Sequence, residues 1–531
     1  MLPLGGCGVF GANMTLYGHD GWWIAVDCGT AFADERHPGI DMMLPDISFI
    51  EERKEKLAAI IITHAHEDHI GGLPYLWPRL KAPVFATPFA SEVIKRKCGE
   101  YEESRGIILK PLPTGTALKF HGFEITALPL SHSIPEPRAL HIKTPVGAVL
   151  HTGDWNRDPS PLLGAKTEEK TFANLGPLRA VVGDSTNAIV PGDSGTESAM
   201  QPAFEEVFSG ASGRVAVTMF SSNVGRMIAI AKAAKTVGRH VAVVGRSLKS
   251  MAEAARQCGY MNDCPPLLGD KEAADIKGSK MVYLVAGSQG EPRSALARIA
   301  RDDHPFIDLG QGDLACFSAR AIPGNEKKIN EVINNLVARG VKILTANDAP
   351  IHVSGHAYAD DIRALLSWTK PQSVMAVHGE LMQQDAHVNV AKAAGVPYAY
   401  APQNGEIWAF SDAEPRLVDT IEAGFQYIEA NRVLDPHHGA LSERKRISFN
   451  GSVFITVQGK EIIITPLGLT DDNDEDDQAL MSELYELLKG VIKDHRGTEA
   501  HLAEAVRTRT RRFFDTELGF KPLTVVHMVN K

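Results

Sequence analysis

Two apolar periods alternate along the chain, and their order divides it into blocks. Met14–Tyr17 and Trp22–Asp27 are β-like runs on either side of the turn "GHDG", which predicts a hairpin. The glycine-rich "GCGVFG" (Gly6–Gly11) just before it matches a dinucleotide-binding pattern. That pattern has to open a helix, so that a pyrophosphate meets the helix N-terminus, and here strands follow. A turn between strands is therefore expected. Further on, "LAAIIITHAHEDHIGG" reads as a short buried strand, Ala58–Thr63, running into three histidines and two acids. The β runs "FEITALPLSH", "GAVLHTGDW" and "LRAVVGDST" then deliver His132, Asp154 and Asp184 at their C-terminal ends. Open sheets place their sites at strand ends, so this recurrence points to a site there.

From about Thr196 the pattern changes. Strand-like "RVAVTMF", "HVAVVG", "MVYLVAG" and "VKILTAN" alternate with helix-like "VGRMIAIAKAAKTVG", "SLKSMAEAARQCGY", "SALARIARD" and "EKKINEVINNLVARG". This predicts a separate α/β domain with a largely parallel sheet. After about Asn347 come two more histidine motifs, "HVSGH" and "VHGE", and further strand-like sequence. The economical organisation is an insertion: one domain begins, a second interrupts it, and the first resumes. The six acids of "TDDNDEDDQ" (Thr470–Gln478) predict a solvated linker or exposed loop. A helical stretch, "RTRTRRFF" and a last β run, "LTVVHMV", predict a small C-terminal α+β unit, with "RTRTRR" as a basic helix face rather than an RNA contact.

Composition narrows this picture modestly. A chain of 531 residues is too long for one core. At 44% hydrophobic and 23% charged it has the balance of an ordinary soluble globular protein. No apolar run approaches the roughly 18 residues of a membrane span, and "MLPLGGCGVF" lacks the features of a signal peptide. Six cysteines without CxxC spacing predict reduced thiols, and with the other signs a cytoplasmic location. A net charge of −10 argues against gripping nucleic acid through bulk positive charge, while leaving room for a local basic channel.

The chemistry is concentrated in His64, His66, Asp68 and His69, an H-x-H-x-D-H run on a loop after a strand. Imidazole nitrogens and carboxylate oxygens suit zinc, and one loop carrying four ligands can serve two adjacent ions. Alternation lets His64 and His66 face one ion while Asp68 and His69 face its neighbour.

This run, with His132 in "LPLSHSIPEP", Asp154 in "HTGDW" and His378 in "VHGE", resembles the metallo-β-lactamase superfamily. The resemblance implies an α/β fold, an αββα sandwich with two divalent ions at one edge. It gives His64, His66 and His132 to the first ion, Asp68, His69 and His378 to the second, and Asp154 to both. "GDSTNA", "HVSGHAYADD" and "VHGE" further resemble the β-CASP group, nucleases with an inserted α/β domain. "FSSNVGR", "GSQGEPRSALARIA", "IPGNE", "HVSGHA" and "VHGEL" narrow the likeness to the ribonuclease J family. Where that family usually has an acid in the first glycine loop, Val9 stands here, and a leading strand common in the family is short, as in a truncated start.

By this resemblance the metallo-β-lactamase domain spans 1–197 and 351–460, the β-CASP domain 198–350, and a linker and small α+β C-terminal domain 461–531. His356 is implied as the general acid, with Asp184 orienting it and Asp68 sharing in catalysis. Asn223, Arg226, Ser288, Gln289, His352 and Ser354 are implied RNA-phosphate contacts. The implied activity is hydrolysis of single-stranded RNA, 5′-to-3′ from 5′-monophosphate ends and also internally. Zinc is the first choice of ion, manganese the second and magnesium the last. Homodimers or homotetramers and RNA-processing or degradation complexes are the implied assemblies, with no membrane partner. A β-CASP nuclease acting mainly on DNA is the alternative, ahead of a small-molecule metallo-hydrolase.

Overall fold

The computed structural model describes residues 1–33, 37–411, 413–430 and 432–529. The hairpin forms as predicted: Met14–His19 and Trp22–Val26 pair antiparallel. Asp20 and Gly21 turn between them with φ of 48° and 75°, the positive values that a tight hairpin turn needs. The Gly6–Gly11 stretch connects Leu2–Gly5 to Met14–His19 and opens no helix. A nucleotide fingerprint is thereby excluded.

The hairpin belongs to a six-stranded sheet that continues through Leu57–Ile61, Val84–Ala86 and Leu109–Pro111, these last joined in parallel. A seven-stranded sheet faces it, ordered Tyr398–Tyr400, Ser373–Val377, Ala180–Asp184, Gly147–His151, Arg138–Thr144, Phe123–Pro129 and Leu118–Phe120. Ile24, Val26, Ala59 and Ile61 from the first sheet share one core with Ile125, Leu140, Val182 and Met375 from the second. The outer face of the second sheet buries Leu150, Val181 and Val374 against Ile362, Leu365 and Ala391 of the helices Ala359–Thr369 and Leu381–Ala393. Strands 373–377 and 398–400 return to this sheet after the insertion, which places a late segment beside an early one.

The inserted sheet has six strands, ordered 267–268, 240–244, 281–285, 215–218, 314–317 and 342–345, and every pairing within it is parallel. Parallel strands need crossovers, supplied here by helices such as Val224–Thr236, Arg246–Gln257 and Glu326–Ala338. All of this lies in one compact unit, formed by residues 1–32 and 43–425.

A second unit comprises residues 33–42 and 426–531. In it Ser452–Gln458 pairs antiparallel with Glu461–Leu467 and parallel with Leu523–Met528. Val453, Ile455 and Val457 pack with Leu484, Leu488, Val506 and Phe514 of the helices Glu475–Asp494 and Glu499–Glu517. The domain boundary expected between 460 and 461 therefore falls in a hairpin turn: the alternating strand 452–458 is the middle of the C-terminal sheet. The acidic stretch also differs from expectation. Asp474 caps the helix that starts at Glu475 by accepting from the Asp476 and Asp477 amides, so half the run is a helical first turn where negative charge is favoured. "RTRTRR" lies on the helix 499–517. No helix among the described residues is long and apolar enough to cross a membrane.

Candidate metal centre

The strand Leu57–Ile61 leads into Thr63–His66, after which Glu67–Ile70 forms one helical turn rather than continuing as loop. Asp68 and His69 thus leave the chain on a helical spacing, His64 and His66 on an extended one. The turn is fixed from below. Asn13 N–H donates to Asp68 O at 3.0 Å and Cys28 N–H to His69 O at 2.8 Å. Gly29 lies so close that a Cβ there would sit 1.6 Å from Asp68 O.

Three groups of ligand atoms result, each within 4.8 Å: His64, His66, His132 and Asp154; Asp68, His69, Asp154 and His378; and Asp154, Asp184, His356 and His378. Asp154 belongs to all three. Its Oδ2 is 3.6 Å from His64 Nε2 and 3.3 Å from His69 Nε2, and its buried Oδ1, which makes no hydrogen bond, is 3.3 Å from His378 Nε2. A buried carboxylate ringed by imidazoles calls for positive charge beside it. His378 is held at φ 55°, in the left-handed region that a non-glycine residue adopts at a cost.

Outer partners fix the rings. His64 Nδ1 lies 3.0 Å from Thr63 Oγ1, which donates on to Asp27; His69 Nδ1 meets the same Asp27 at 2.8 Å. His378 Nδ1 meets Thr186 Oγ1 at 2.7 Å, and Thr186 donates to Asp184. His132 Nδ1 meets Gly355 O at 2.6 Å. His66 is reversed: Nδ1 faces His64 and His132, and Nε2 meets Ser222 Oγ at 2.8 Å. Proton-bearing outer nitrogens held by oxygen acceptors leave the inner lone pairs for a cation, as at metal sites.

Charge divides the ligand imidazoles. Burial pushes His66 down to about 4 and His132 to about 3, so both are neutral near pH 7 and offer lone pairs. For His378 burial is outweighed by Asp154 and Asp68, which lift it to about 9. Burial likewise opposes ionisation of Asp68 and Asp154, yet the surrounding imidazoles hold both well below the usual carboxylate range. Such a donor set fits divalent cations.

Beside it, His356 Nδ1 contacts Asp184 Oδ2 at 2.9 Å. The ring stands 5.1 Å from that of His132 and 5.6 Å from that of His378. Burial lowers its proton affinity, but Asp184 and Asp154 overcome that and leave it above the ordinary imidazole value.

The six expected phosphate contacts divide. Ser354, Asn223 and His132 line one cleft, together with Asn156, Asp158 and Glu197. Ser354 Oγ accepts from Asn187 Nδ2 and from the His356 amide, tying it to the acid. Asn223 caps the helix 224–236 through its Oδ1. Arg226 corrects the expectation. It is 1% exposed and spends all five N–H donors internally, on both oxygens of Glu197, the carbonyls of Ser318 and Val353, and His352 Nδ1. Arg226 therefore has nothing left for a phosphate, and His352 commits its Nδ1 to it. Gln289 commits its amide to Arg320 O and the Ile322 N–H, with Ser288 beside it, so the pair braces loops of the inserted domain.

Sequence alone does not single out Asp27, Thr63, Thr186 or Ser222 as parts of this site. Asp27 and Thr63 stand at the polar ends of strand-like runs, the grammar that marks Asp154 and Asp184, while Thr186 and Ser222 lie inside "GDSTNA" and "FSSNVGR" with no mark of their own.

The chain's likeness to known proteins agrees with this geometry. Residues 22–241 match the beta-lactamase superfamily domain, 212–336 the ribonuclease J beta-CASP domain, and 349–402 the Zn-dependent metallo-hydrolase RNA specificity domain. Ribonuclease J of Sinorhizobium meliloti is 39% identical over an alignment covering 99% of this chain and 96% of that protein. Ribonuclease J of Mycolicibacterium smegmatis is 34% identical, covering 98% and 95%. A crystal structure of a protein of unknown function from Enterococcus faecalis V583 shares the fold, at a TM-score of 0.52 and 15% identity over 76% of this chain and 97% of that one. With relatives matched over nearly their whole length and a buried, cation-seeking centre where the motifs meet, the chain belongs to the ribonuclease J family.

Proposed function

We propose that His64, His66 and His132 would hold one divalent ion, that Asp68, His69 and His378 would hold a second, and that Asp154 would serve both. The reaction is hydrolysis of RNA phosphodiesters, proceeding 5′-to-3′ from 5′-monophosphate ends and also internally. Asp154 carries this reading: it is buried, it belongs to both of these ligand sets, and imidazoles of both approach it, His64 Nε2 at 3.6 Å from Oδ2 and His378 Nε2 at 3.3 Å from Oδ1. Zinc is the favoured ion, with manganese next, because imidazole outnumbers carboxylate among the ligands. A cytoplasmic enzyme acting as a homodimer or homotetramer completes the reading.

Ions bound there supply Lewis acidity, activating water and offsetting charge on the phosphoryl oxygens. The chain supplies the proton. His356, raised in proton affinity and fixed through Nδ1 by Asp184, is protonated near neutral pH and presents Nε2–H to the departing ribose oxygen. Asp184 stays ionised and stabilises the imidazolium; Thr186 carries its influence to His378. Ser354 holds the His356 amide and with it the acid's position.

Single-stranded RNA bearing a 5′-monophosphate, triphosphate or hydroxyl tests this, beside matched DNA and an EDTA control. Rapid metal-dependent release of mononucleotide from the monophosphate form is expected, with slower internal cleavage of all three. Preferential cleavage of DNA would overturn the substrate assignment. His356→Ala should lower cleavage by about 10²–10⁴-fold with metal content intact; undiminished cleavage removes His356 from the mechanism.

A further inference from the structure

The outer partners of the ligand imidazoles come from different parts of the chain. His69 and His378 are held by Asp27 and Thr186, which follow the central strands Trp22–Val26 and Ala180–Asp184. His64 is held by Thr63, and His132 by Gly355. His66 alone is held from the inserted domain. Ser222 lies between the strand Val215–Thr218 and the helix Val224–Thr236, inside the ribonuclease J beta-CASP match at 212–336.

The contact is built rather than incidental. A ligating Nδ1 on His66 requires the ring proton on Nε2, and Nε2–H donates to Ser222 Oγ at 2.8 Å. The Ser222 turn is rigid: the Asn223 amide donates to Phe220 O, the Val224 amide to Ser222 O, and Asn223 caps the helix. One helical turn on, Arg226 ties that helix to Glu197 and to the 352–353 loop. The placement of the inserted domain is thereby transmitted to one nitrogen of one ligand.

We propose that Ser222 is a positioning residue for His66 and makes retention of the ion at His64, His66, His132 and Asp154 depend on the inserted domain. The ion at Asp68, His69 and His378 is retained by the two central sheets alone. The two ions are thus unequal: the first is coupled to the seating of one domain on the other, the second is resident. This rests on the ligand assignment proposed above.

Zinc-loaded full-length protein, mixed with excess chromogenic chelator, reports how many ions leave and how fast. Wild type should hold two. Ser222→Ala should release one of them about 10-fold faster or more, the usual effect of losing an outer partner, and leave the other unchanged. Ser222→Thr, which keeps the hydroxyl, should restore the wild-type rates. Ser221→Ala, whose hydroxyl instead meets Ser247 at 2.8 Å, should change neither. Thr186→Val should accelerate the other ion. Wild-type release from Ser222→Ala, or equal acceleration of both ions, overturns the proposal. Fewer than two ions in wild type overturns the ligand assignment instead.

Discussion

Replacing Arg226 separates a structural guanidinium from a phosphate-binding one. Arg226→Met keeps much of the side-chain volume but removes five N–H donors from a site that is 1% exposed. Glu197 would lose both of its 2.7 Å contacts, and the carbonyls of Ser318 and Val353 would lose their donor. Removing one partner of a buried pair costs about 3–5 kcal/mol, because the other charge stays buried and alone. For a domain of this size, each kcal/mol lowers the melting temperature by roughly 2–4 °C. The unfolding of the inserted domain should therefore move down by roughly 6–20 °C in a thermal melt. Below that transition, RNA affinity measured across salt concentrations should keep its wild-type slope, since no phosphate contact has gone. A lost contact to single-stranded RNA would flatten the slope by about 0.7. Wild-type melting together with a flattened slope would refute the structural assignment and return Arg226 to the RNA.

The His356 imidazole must be protonated to act as acid, so cleavage should fall as pH rises through its pKa; Asp184→Asn removes a charge that raises that pKa and should move the alkaline limb of kcat/KM to lower pH, and an unmoved limb would sink the pairing. Burial and Arg226 push His352 down to about 3 from 6.5, so the fold holds it neutral: its contribution to stability is full above about pH 6.5 and is lost as pH falls toward 3. The urea midpoint of His352→Asn should accordingly depend less on pH over that window than wild type's, and equal dependence would contradict this. Gly29→Ala puts a Cβ 1.6 Å from Asp68 O, so the ligand turn has to shift; a stability loss of about 1–3 kcal/mol and loss of the ion at Asp68 and His69 are expected, and wild-type metal content would show the turn to be more forgiving.

What the sequence reveals of this site follows from how local each signal is. His64, His66, Asp68 and His69 share one short run after an apolar strand, so their chemistry is visible as soon as the strand is. His132, Asp154 and Asp184 obey one rule, a polar residue at a buried strand's end, and the sheet aligns those ends. The inserted parallel sheet is legible for a similar reason: Val215–Thr218, His240–Val244 and Met281–Val285 are short apolar strands punctuated by helices. The strand Ser452–Gln458 falls outside its expected domain because alternation shows that one face is buried without showing which helices bury it.

The outer partners are the harder case. Thr63, Thr186 and Ser222 are hydroxyls in loops, with no period and no charge, and each acquires meaning only from the imidazole it meets. Arg226 shows the converse. A guanidinium in a motif shared with RNA-cleaving enzymes reads as a phosphate ligand by residue type, but type counts donors without saying which are already spent. Here Glu197, Ser318, His352 and Val353 take all five, and they bind the first turn of the helix 224–236 to the loop that carries Ser354 and His356. Under the proposal above the residue still serves catalysis by this route, because the helix it fixes follows Ser222, which meets His66 at 2.8 Å. Its substitution should therefore disturb the acid and the first ion together, which loss of a simple phosphate contact would not do.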